Sequence, residues 1–351
     1  MQIDFHHATT YVTARLAGFE KPEAEIIAYA AQYVDDAVKS GPVYFSNKAI
    51  FNRISSAHKL LDLANTLALE NQLVWMPFHF LPGNGGLPAG EDPFGTFIDK
   101  IVCKPNSPIA QEMVRSAILE QERSYGLHRL GVTMHVYTDS WAHQGFAGVI
   151  HEVNEVEEVA EIGNTNVFGK LEEFLWDRVE DTIPPLGHGR ANIFPDMPFL
   201  SWEYENGQGQ VIARKNPDDF CEAADQMCIA MKRFRTKNPD AAVDGIPAQE
   251  MAKVRRLFVN LQMKEGEKRH EAWLEAIKQG EFSFGAEEIS YDPIGINSWK
   301  GQALGSSFDL PVNTYKPDFL GSNWKLFHDA TQAHRFHVAH DLLPKYRICA
   351  A

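Results

Sequence analysis

The chain has 351 residues, 44% of them hydrophobic, so it can form one large or two modest globular domains with a substantial core. Its formal net charge of −14 excludes a global basic field of the kind that holds nucleic acid. The four cysteines form no CxxC pair, which excludes a zinc ribbon and argues against a disulfide framework. The N-terminus lacks the charged and apolar regions of a secretory signal peptide, and no uncharged run reaches the length of a membrane span. We therefore expect cytoplasmic synthesis, with a signal-free route as the remaining way of export.

Apolar residues recur at helical spacing through most of the chain, which predicts a structure dominated by helices. Gly18 is placed to end the first helix and Pro22 to begin the second. Glycine and proline are frequent in residues 82–108, which predicts a long loop, and alternation around Asn206-Gly207 predicts a hairpin. The predicted helices span 5–17, 22–39, 47–71, 109–146, 165–180, 216–235, 247–279 and 322–342.

Residues 130–143 contain the most informative motif. His135, Asp139 and His143 follow one another at steps of four, so on an α-helix they share one face. Imidazole and carboxylate groups are ligands that zinc accepts. The rest of the segment is apolar, and buried polar groups need partners, either a metal ion or a satisfied cluster of side chains in the core. The motif therefore predicts a helix with a metal-binding face.

Further candidate ligands lie on other predicted helices. Asp35 and Asp36 end the second helix, where carboxylates oppose the helix dipole and need a compensating cation, either a metal ion or the nearby Lys39. The others are the near-terminal pair His6 and His7, and His58 among small residues.

In chain order these motifs resemble those of the zinc-dependent phospholipase C family, which includes the clostridial alpha-toxin catalytic domain and related single-strand nucleases. The resemblance covers about residues 5–200 and is closest to a bacterial branch without a signal peptide. The matching segments are His7-Ala8 with Val12, Tyr33-x-Asp35, Ser56-x-His58 and Leu130-Gly131-x-x-x-His135-x-x-x-Asp139, together with Phe5-His6-His7, Phe78-His79-Phe80 and Gly187-His188-Gly189.

The sequence departs from the family pattern at three points. The family's next histidine falls ten residues after the helix histidine, whereas His143 falls eight residues after His135. The family's last ligand pair has no direct counterpart, so we assign His188 and Asp196 in preference to His151 and Glu155. In secreted members the N-terminal amine binds metal, and here we expect His6 to take that place.

The resemblance implies two or three zinc ions, with Asp139 as a bridging ligand. His79 and His328 are expected to support a ligand or to contact substrate. The implied ligand sets are Asp35, His58, His135 and Asp139 for one ion, His6 or His7 with Asp139 for a second, and His143, His188 and Asp196 for a third.

The implied activity is hydrolysis of glycerophospholipids to diacylglycerol and a phosphorylated head group by a metal-activated water. Asp35 or Asp36 would act as the general base. The substrate implies transient contact with a membrane surface, where Trp75, Phe78 and Phe80 could meet a lipid tail, although core packing is the favoured role for any single aromatic residue there. Nucleic acid is not a favoured partner.

The resemblance also implies an all-α fold, a multi-helix bundle with long loops and a small β-hairpin. We expect residues 1–200 to form the metal-binding catalytic core, and residues 201–351 to add helices that pack on it within the same domain. Two alternatives to a phospholipase remain open: a single-strand nuclease of the same superfamily, and a non-catalytic binding protein in which metal only links the helices.

Overall fold

The computed structural model describes residues 1–57, 68–162 and 186–349, without the side chains of 68–72. These ranges are rich in helix, as predicted, but they also hold two small antiparallel sheets, so the fold is mixed rather than purely all-α. The described α-helices are α1 Thr10–Leu16, α2 Lys21–Asp36, α3 Ala68–Phe78, α4 Phe97–Ile101, α5 Pro108–Leu119, α6 Gly126–Ala142, α7 Asn216–Arg235, α8 Ala248–Asn260, α9 Gly266–Lys278, α10 Trp299–Leu304 and α11 Asn323–Phe336.

The two sheets are short. The first pairs β1 (Gly41–Tyr44) with β2 (Ile50–Arg53), and the second has the order β3 (Val156–Glu161), β4 (Ser201–Asn206), β5 (Val211–Lys215). The predicted hairpin is confirmed as β4 and β5, which are antiparallel.

The helix predicted over 47–71 is wrong at its beginning, where β2 lies. The side chain of Asn47 accepts a hydrogen bond from the backbone of Ala49 at 3.0 Å, and Lys48 has a positive φ of 71°. Asparagine commonly forms such local turns. The chain therefore reverses here and pairs with β1. The helix predicted over 165–180 lies outside the described residues.

Several helix ends follow from local sequence. Ser107 accepts a hydrogen bond from the backbone of Ala110 at 3.2 Å, and Pro108 then begins α5. Gly18 follows α1 with a φ of 93°, as expected for a glycine that ends a helix. None of the described helices combines the length and apolar character that crossing a membrane requires.

Helix α6 lies at the centre of the molecule. Nearly all of its residues are buried, and α2, α5, α7 and α11 pack around it. Two of these neighbours, α7 and α11, belong to residues 201–351, so both parts of the chain cover the central helix.

The closest approach between α2 and α6 occurs at Gly131. A Cβ atom at this position would lie 2.4 Å from the Ile27 carbonyl oxygen and 2.7 Å from the Ala30 Cβ. Real Cβ atoms do not come so near to other atoms, so the two helices can pack at this distance only because residue 131 is glycine.

Gly131→Ala should therefore lower the free energy of unfolding by about 1–3 kcal/mol, because α2 and α6 must move apart. Urea denaturation measures the change. The matched control is Gly321→Ala, where a Cβ would meet no atom within 4 Å. Alanine alone favours a helix over glycine by about 1 kcal/mol, so a Gly131→Ala protein more stable than the wild type by about this amount would contradict close packing at this position.

Candidate metal centre

The face of α6 predicted to bind metal points into a cluster of histidine and aspartate side chains. His135 and Asp139 lie on α6, and His143 follows directly after its last residue. All three are buried, and residues from other parts of the chain join them. Three groups in the described ranges have ligand atoms within 4.8 Å of one another: His6, Asp35 and His135; His79, His135 and Asp139; and His143, His188 and Asp196.

Asp139 lies at the centre of this cluster, and its two oxygens face different partners. Oδ1 accepts a hydrogen bond from the Met1 amine at 2.7 Å and lies 3.1 Å from His6 Nε2. Oδ2 lies 3.3 Å from His135 Nε2 and 3.5 Å from His79 Nδ1. A carboxylate with this arrangement can serve two neighbouring sites at once.

The spacing of His79, His135 and Asp139 suits a tetrahedral ion. Two ligand atoms at 2.0–2.1 Å from zinc are roughly 3.3 Å apart at the tetrahedral angle. His135 Nε2 lies 3.3 Å from both His79 Nδ1 and Asp139 Oδ2, and the latter two are 3.5 Å apart. Asp35 Oδ1 is 3.8 Å from each of the two histidine nitrogens, in position to be a further ligand.

Four of the histidines are oriented by backbone carbonyl groups. A carbonyl oxygen only accepts hydrogen bonds, so the ring nitrogen that faces it must carry hydrogen. In a neutral ring the opposite nitrogen is then free to bind metal, and this arrangement is typical of metal-binding histidines. The donor and acceptor pairs are His79 Nε2 and Ser56 O at 2.9 Å, His135 Nδ1 and Ala31 O at 2.8 Å, His143 Nδ1 and His79 O at 2.7 Å, and His188 Nδ1 and Asn192 O at 2.7 Å.

Burial sets the charge of most of these histidines. It lowers the pKa of His6, His135 and His188 to about 4, so all three are neutral at pH 7. His79 differs, because Asp139 and Asp35 outweigh its burial and raise its pKa. Neutral imidazole is the form that binds metal.

Two carboxylates of the cluster, those of Asp139 and Asp196, are held in their charged form. Burial opposes the ionisation of Asp139, but His143 and the Met1 amine keep its pKa well below the usual range. Asp196 also has a lowered pKa, because the Met1 amine and His188 outweigh its burial. In return, Asp139 and Asp196 overcome burial and raise the pKa of the Met1 amine to about 11. An ammonium group therefore balances part of the negative charge of the metal-free cluster.

His143, His188 and Asp196 form the group furthest along the chain. Asp196 Oδ1 lies 3.7 Å from His143 Nε2, and Asp196 Oδ2 lies 3.6 Å from His188 Nε2. Phe80 stacks on the His143 ring, with ring centroids 4.5 Å apart. The two histidines thus present their free nitrogens to one carboxylate from a packed position.

One further observation supports a divalent metal ion at these residues. Among the described residues, neither ring nitrogen of the buried His6 makes a well-aligned hydrogen bond, and Asp196 Oδ1 has an ion pair with the Met1 amine at 3.1 Å but no such bond. Buried polar atoms are rarely left in this state, and a bound ion would satisfy them. These residues could therefore hold a metal ion through their nitrogen and oxygen donors.

An open cleft of about 860 Å³ reaches the cluster at Met1 and Asp35. Asp35 keeps 34% of its side chain exposed, whereas His135 is fully buried. The cleft walls are largely polar and include Asp36, His270 and Tyr291. A water molecule or a substrate could therefore reach the cluster from this side.

The structure separates the predicted site residues into two sets. His7 lies outside the cluster, with Nδ1 2.9 Å from His270 Nε2, and Asp36 accepts a hydrogen bond from Tyr291 at 2.6 Å. His328 is buried beside Trp324 and Phe51, and His58 lies outside the described residues. The predicted residues that meet in the cluster are His6, Asp35, His135, Asp139, His143, His188 and Asp196.

Two expectations need correction. His79 Nδ1 lies among the candidate ligand atoms themselves rather than behind them. His6 does not replace the N-terminal amine, since both lie beside Asp139. Phe78 and Phe80 pack in the interior, at 0% and 4% exposed, which is the core packing favoured for them over contact with a lipid tail. The position of His79 between these two aromatic residues was the one feature of the sequence that placed it in a buried site.

The two adjacent carboxylates Asp35 and Asp36 provide a test of the cluster. Asp35→Asn should weaken metal binding by about 100-fold or more, because it removes a charged oxygen from the ligand groups. Asp36→Asn should retain wild-type affinity, since its carboxylate pairs with Tyr291 instead. Competition with a chromogenic chelator measures both. Equal affinities for the two variants would show that Asp35 is not a ligand.

His328 predicts a pH effect away from the cluster. Burial lowers its pKa to about 3, whereas an unfolded histidine has a pKa near 6.5, so the unfolded chain binds the proton more tightly. The contribution of His328 to stability is therefore present above pH 6.5 and is lost as the pH falls, by about 2 kcal/mol at pH 5.

Urea denaturation of metal-free protein at pH 7 and pH 5 measures this loss. His328→Gln should remove about 2 kcal/mol of the difference between the two pH values. The exposed His340 is the control, and His340→Gln should leave the difference unchanged. If the difference in stability between pH 7 and pH 5 is unchanged in His328→Gln, protonation of His328 does not destabilise the folded protein.

A sequence profile described as "Family of unknown function (DUF6765)" matches residues 1–342, a range that includes every residue of the cluster. No curated protein and no solved structure matches the chain.

Proposed function

We propose that this chain, which belongs to the DUF6765 family, is a zinc-dependent phosphodiesterase of phospholipase C type. The observation that carries the proposal is the set of buried histidine and aspartate groups, with oriented ring nitrogens, at the base of an open cleft. The resemblance of the sequence to zinc-dependent phospholipases C supports the reaction class.

The ligand groups suit phosphodiester chemistry. Bound ions would neutralise the phosphate oxygens and bring the pKa of a bound water toward neutrality. His135 belongs to two of the groups, and Asp139 lies one turn further along the same buried helix, so α6 would fix the spacing between neighbouring ions. Asp139 would bridge them, since its two oxygens face different partners.

Asp35 is the residue we propose as proton acceptor. It is the member of the cluster that lines the cleft with its carboxylate, and 34% of its side chain is exposed there, so it can meet a water molecule in the cleft. The amide nitrogen of Gln32 lies 3.4 Å from Asp35 Oδ2 and 3.3 Å from Asp36 Oδ2, so it holds the two carboxylates in place. Asp36 would then position Asp35 and Tyr291 on the cleft wall.

A glycerophospholipid is the substrate we propose, and this part of the proposal rests on the sequence resemblance. The proposed products are diacylglycerol and a phosphorylated head group. The cleft volume is ample for a head group with its phosphate. A single-strand nuclease is disfavoured by charge, because Glu265, Glu267 and Glu271 line the same cleft and would repel a polyanion.

The other alternative is a non-catalytic protein whose metal only links helices. A purely structural ion is usually enclosed by its ligands. Here the cleft reaches the cluster, and Asp35 is partly exposed to it. This access favours a site at which a substrate is bound and turned over.

Asp139→Asn should lower kcat/KM by about 1,000-fold or more, because it removes charge from the proposed bridge. The assays are hydrolysis of bis(p-nitrophenyl) phosphate and release of phosphorylated head group from phosphatidylcholine and phosphatidylethanolamine vesicles. Chelation should abolish activity and zinc should restore it. The control is Asp240→Asn, an exposed carboxylate paired with Arg115, which should keep full activity.

The outcomes separate the alternatives. Wild-type protein that binds zinc but hydrolyses neither substrate would overturn the proposed enzyme. Cleavage of single-stranded DNA without head-group release would instead support the nuclease. Activity that survives complete removal of metal would contradict the role of the cluster.

A further inference from the structure

The guanidinium group of Arg269 on α9 is buried and fully satisfied. Its side chain has 0% exposure, and its partner Asp4 has 1%. Arginine has five N–H donors, and all five find acceptors here. They are Asp4 Oδ2 at 2.6 Å and Asp4 Oδ1 at 3.3 Å, Gln2 Oε1 at 2.8 Å, and the carbonyl oxygens of Met263 at 2.6 Å and Lys264 at 3.0 Å.

These contacts hold the first residues of the chain against α9. Gln2 and Asp4 face Arg269, and His7 faces His270 on the same helix. His6 faces the other way, and its Nε2 lies 3.1 Å from Asp139 Oδ1. The segment 1–7 is therefore held between α9 on one side and the metal cluster on the other.

The packing between α9 and this segment is close. A Cβ on Gly266, the first residue of α9, would lie 2.5 Å from Gln2 Oε1. The backbone of Gln2 in turn starts the π-helix Asp4–Thr9, since its carbonyl oxygen accepts from the amides of Phe5 and His6. A shift of Gln2 is thus passed directly to His6.

We propose that Arg269 is a positioning residue, which places His6 in the metal cluster by holding Gln2 and Asp4. The proposal rests on the metal centre of the proposed function but not on the phosphodiesterase reaction. It also gives the C-terminal part of the chain a role, because the site is then completed by a residue beyond position 200.

Lysine cannot replace arginine in this role. It has three donors on a single nitrogen and cannot bind a carboxylate with two parallel hydrogen bonds while it reaches Gln2. Arg269→Lys should therefore keep the positive charge beside Asp4 and lose the geometry. Among the described residues, the group of His143, His188 and Asp196 has no contact with Arg269. Segment 1–7 reaches that group through the Met1 amine, which lies 3.1 Å from Asp196 Oδ1 but is not one of the grouped ligand atoms, so a selective effect on the ion near His6 is expected.

The experiment measures zinc binding by the full-length chain, with stoichiometry from elemental analysis and affinities from chelator competition. In Arg269→Lys the ion that depends on His6 should weaken by about 100-fold, while the other ion keeps its wild-type affinity. His143→Gln should show the reverse pattern, and the combined variant should lose both. Arg255→Lys, at an exposed pair with Asp218, is the matched control and should change nothing.

Two results would overturn the proposal: wild-type affinity for every ion in Arg269→Lys, or equal loss of all ions from a variant that circular dichroism shows to be folded. If Arg269→Lys does not fold, Gly266→Ala tests the same point with the ion pair intact, and it should weaken only the His6-dependent ion, by about 10-fold. Unchanged zinc binding in Gly266→Ala would then overturn it. Phosphodiesterase activity is not a readout, so a zinc-binding protein without activity would contradict the proposed function alone.

Discussion

The structure depends on one buried carboxylate, that of Asp139, in the last turn of the central helix α6. A charge in such a place is costly unless positive or hydrogen-bonding groups surround it. His6, His79 and His135 and the Met1 amine do so, and each comes from a different part of the chain or a different turn. The need to satisfy Asp139 therefore explains why distant segments converge on α6.

Backbone carbonyl groups hold several of the candidate ligand side chains in place. The carbonyl groups of Ala31 on α2, Ser56 after β2 and His79 after α3 each fix one imidazole. The close approach of α2 to α6 at Gly131 brings Ala31 within hydrogen-bond distance of His135. The close packing of the core therefore also sets the geometry of the candidate site.

Helical periodicity was sufficient for the part of the site that lies on one helix. His135, Asp139 and His143 share a face by spacing alone, and the structure brings them together. Periodicity could not identify a candidate ligand that follows the end of a helix, as His79 does. It also could not decide which of two adjacent residues, His6 or His7, points toward the cluster. The choice between His6 and His7 depends on the distant α9, which binds His7 through His270. The β2 strand was missed for a similar reason, because a short turn outweighed the apolar pattern.

The central claim is that these side chains form a metal centre, and anomalous diffraction tests it most directly. Crystals grown with zinc should show a peak above the zinc absorption edge among the side chains of His6, Asp35, His79, His135 and Asp139, and another within the group of His143, His188 and Asp196. The peaks should vanish below the edge. Ordered side chains with no anomalous peak at either position, at saturating zinc, would contradict the account.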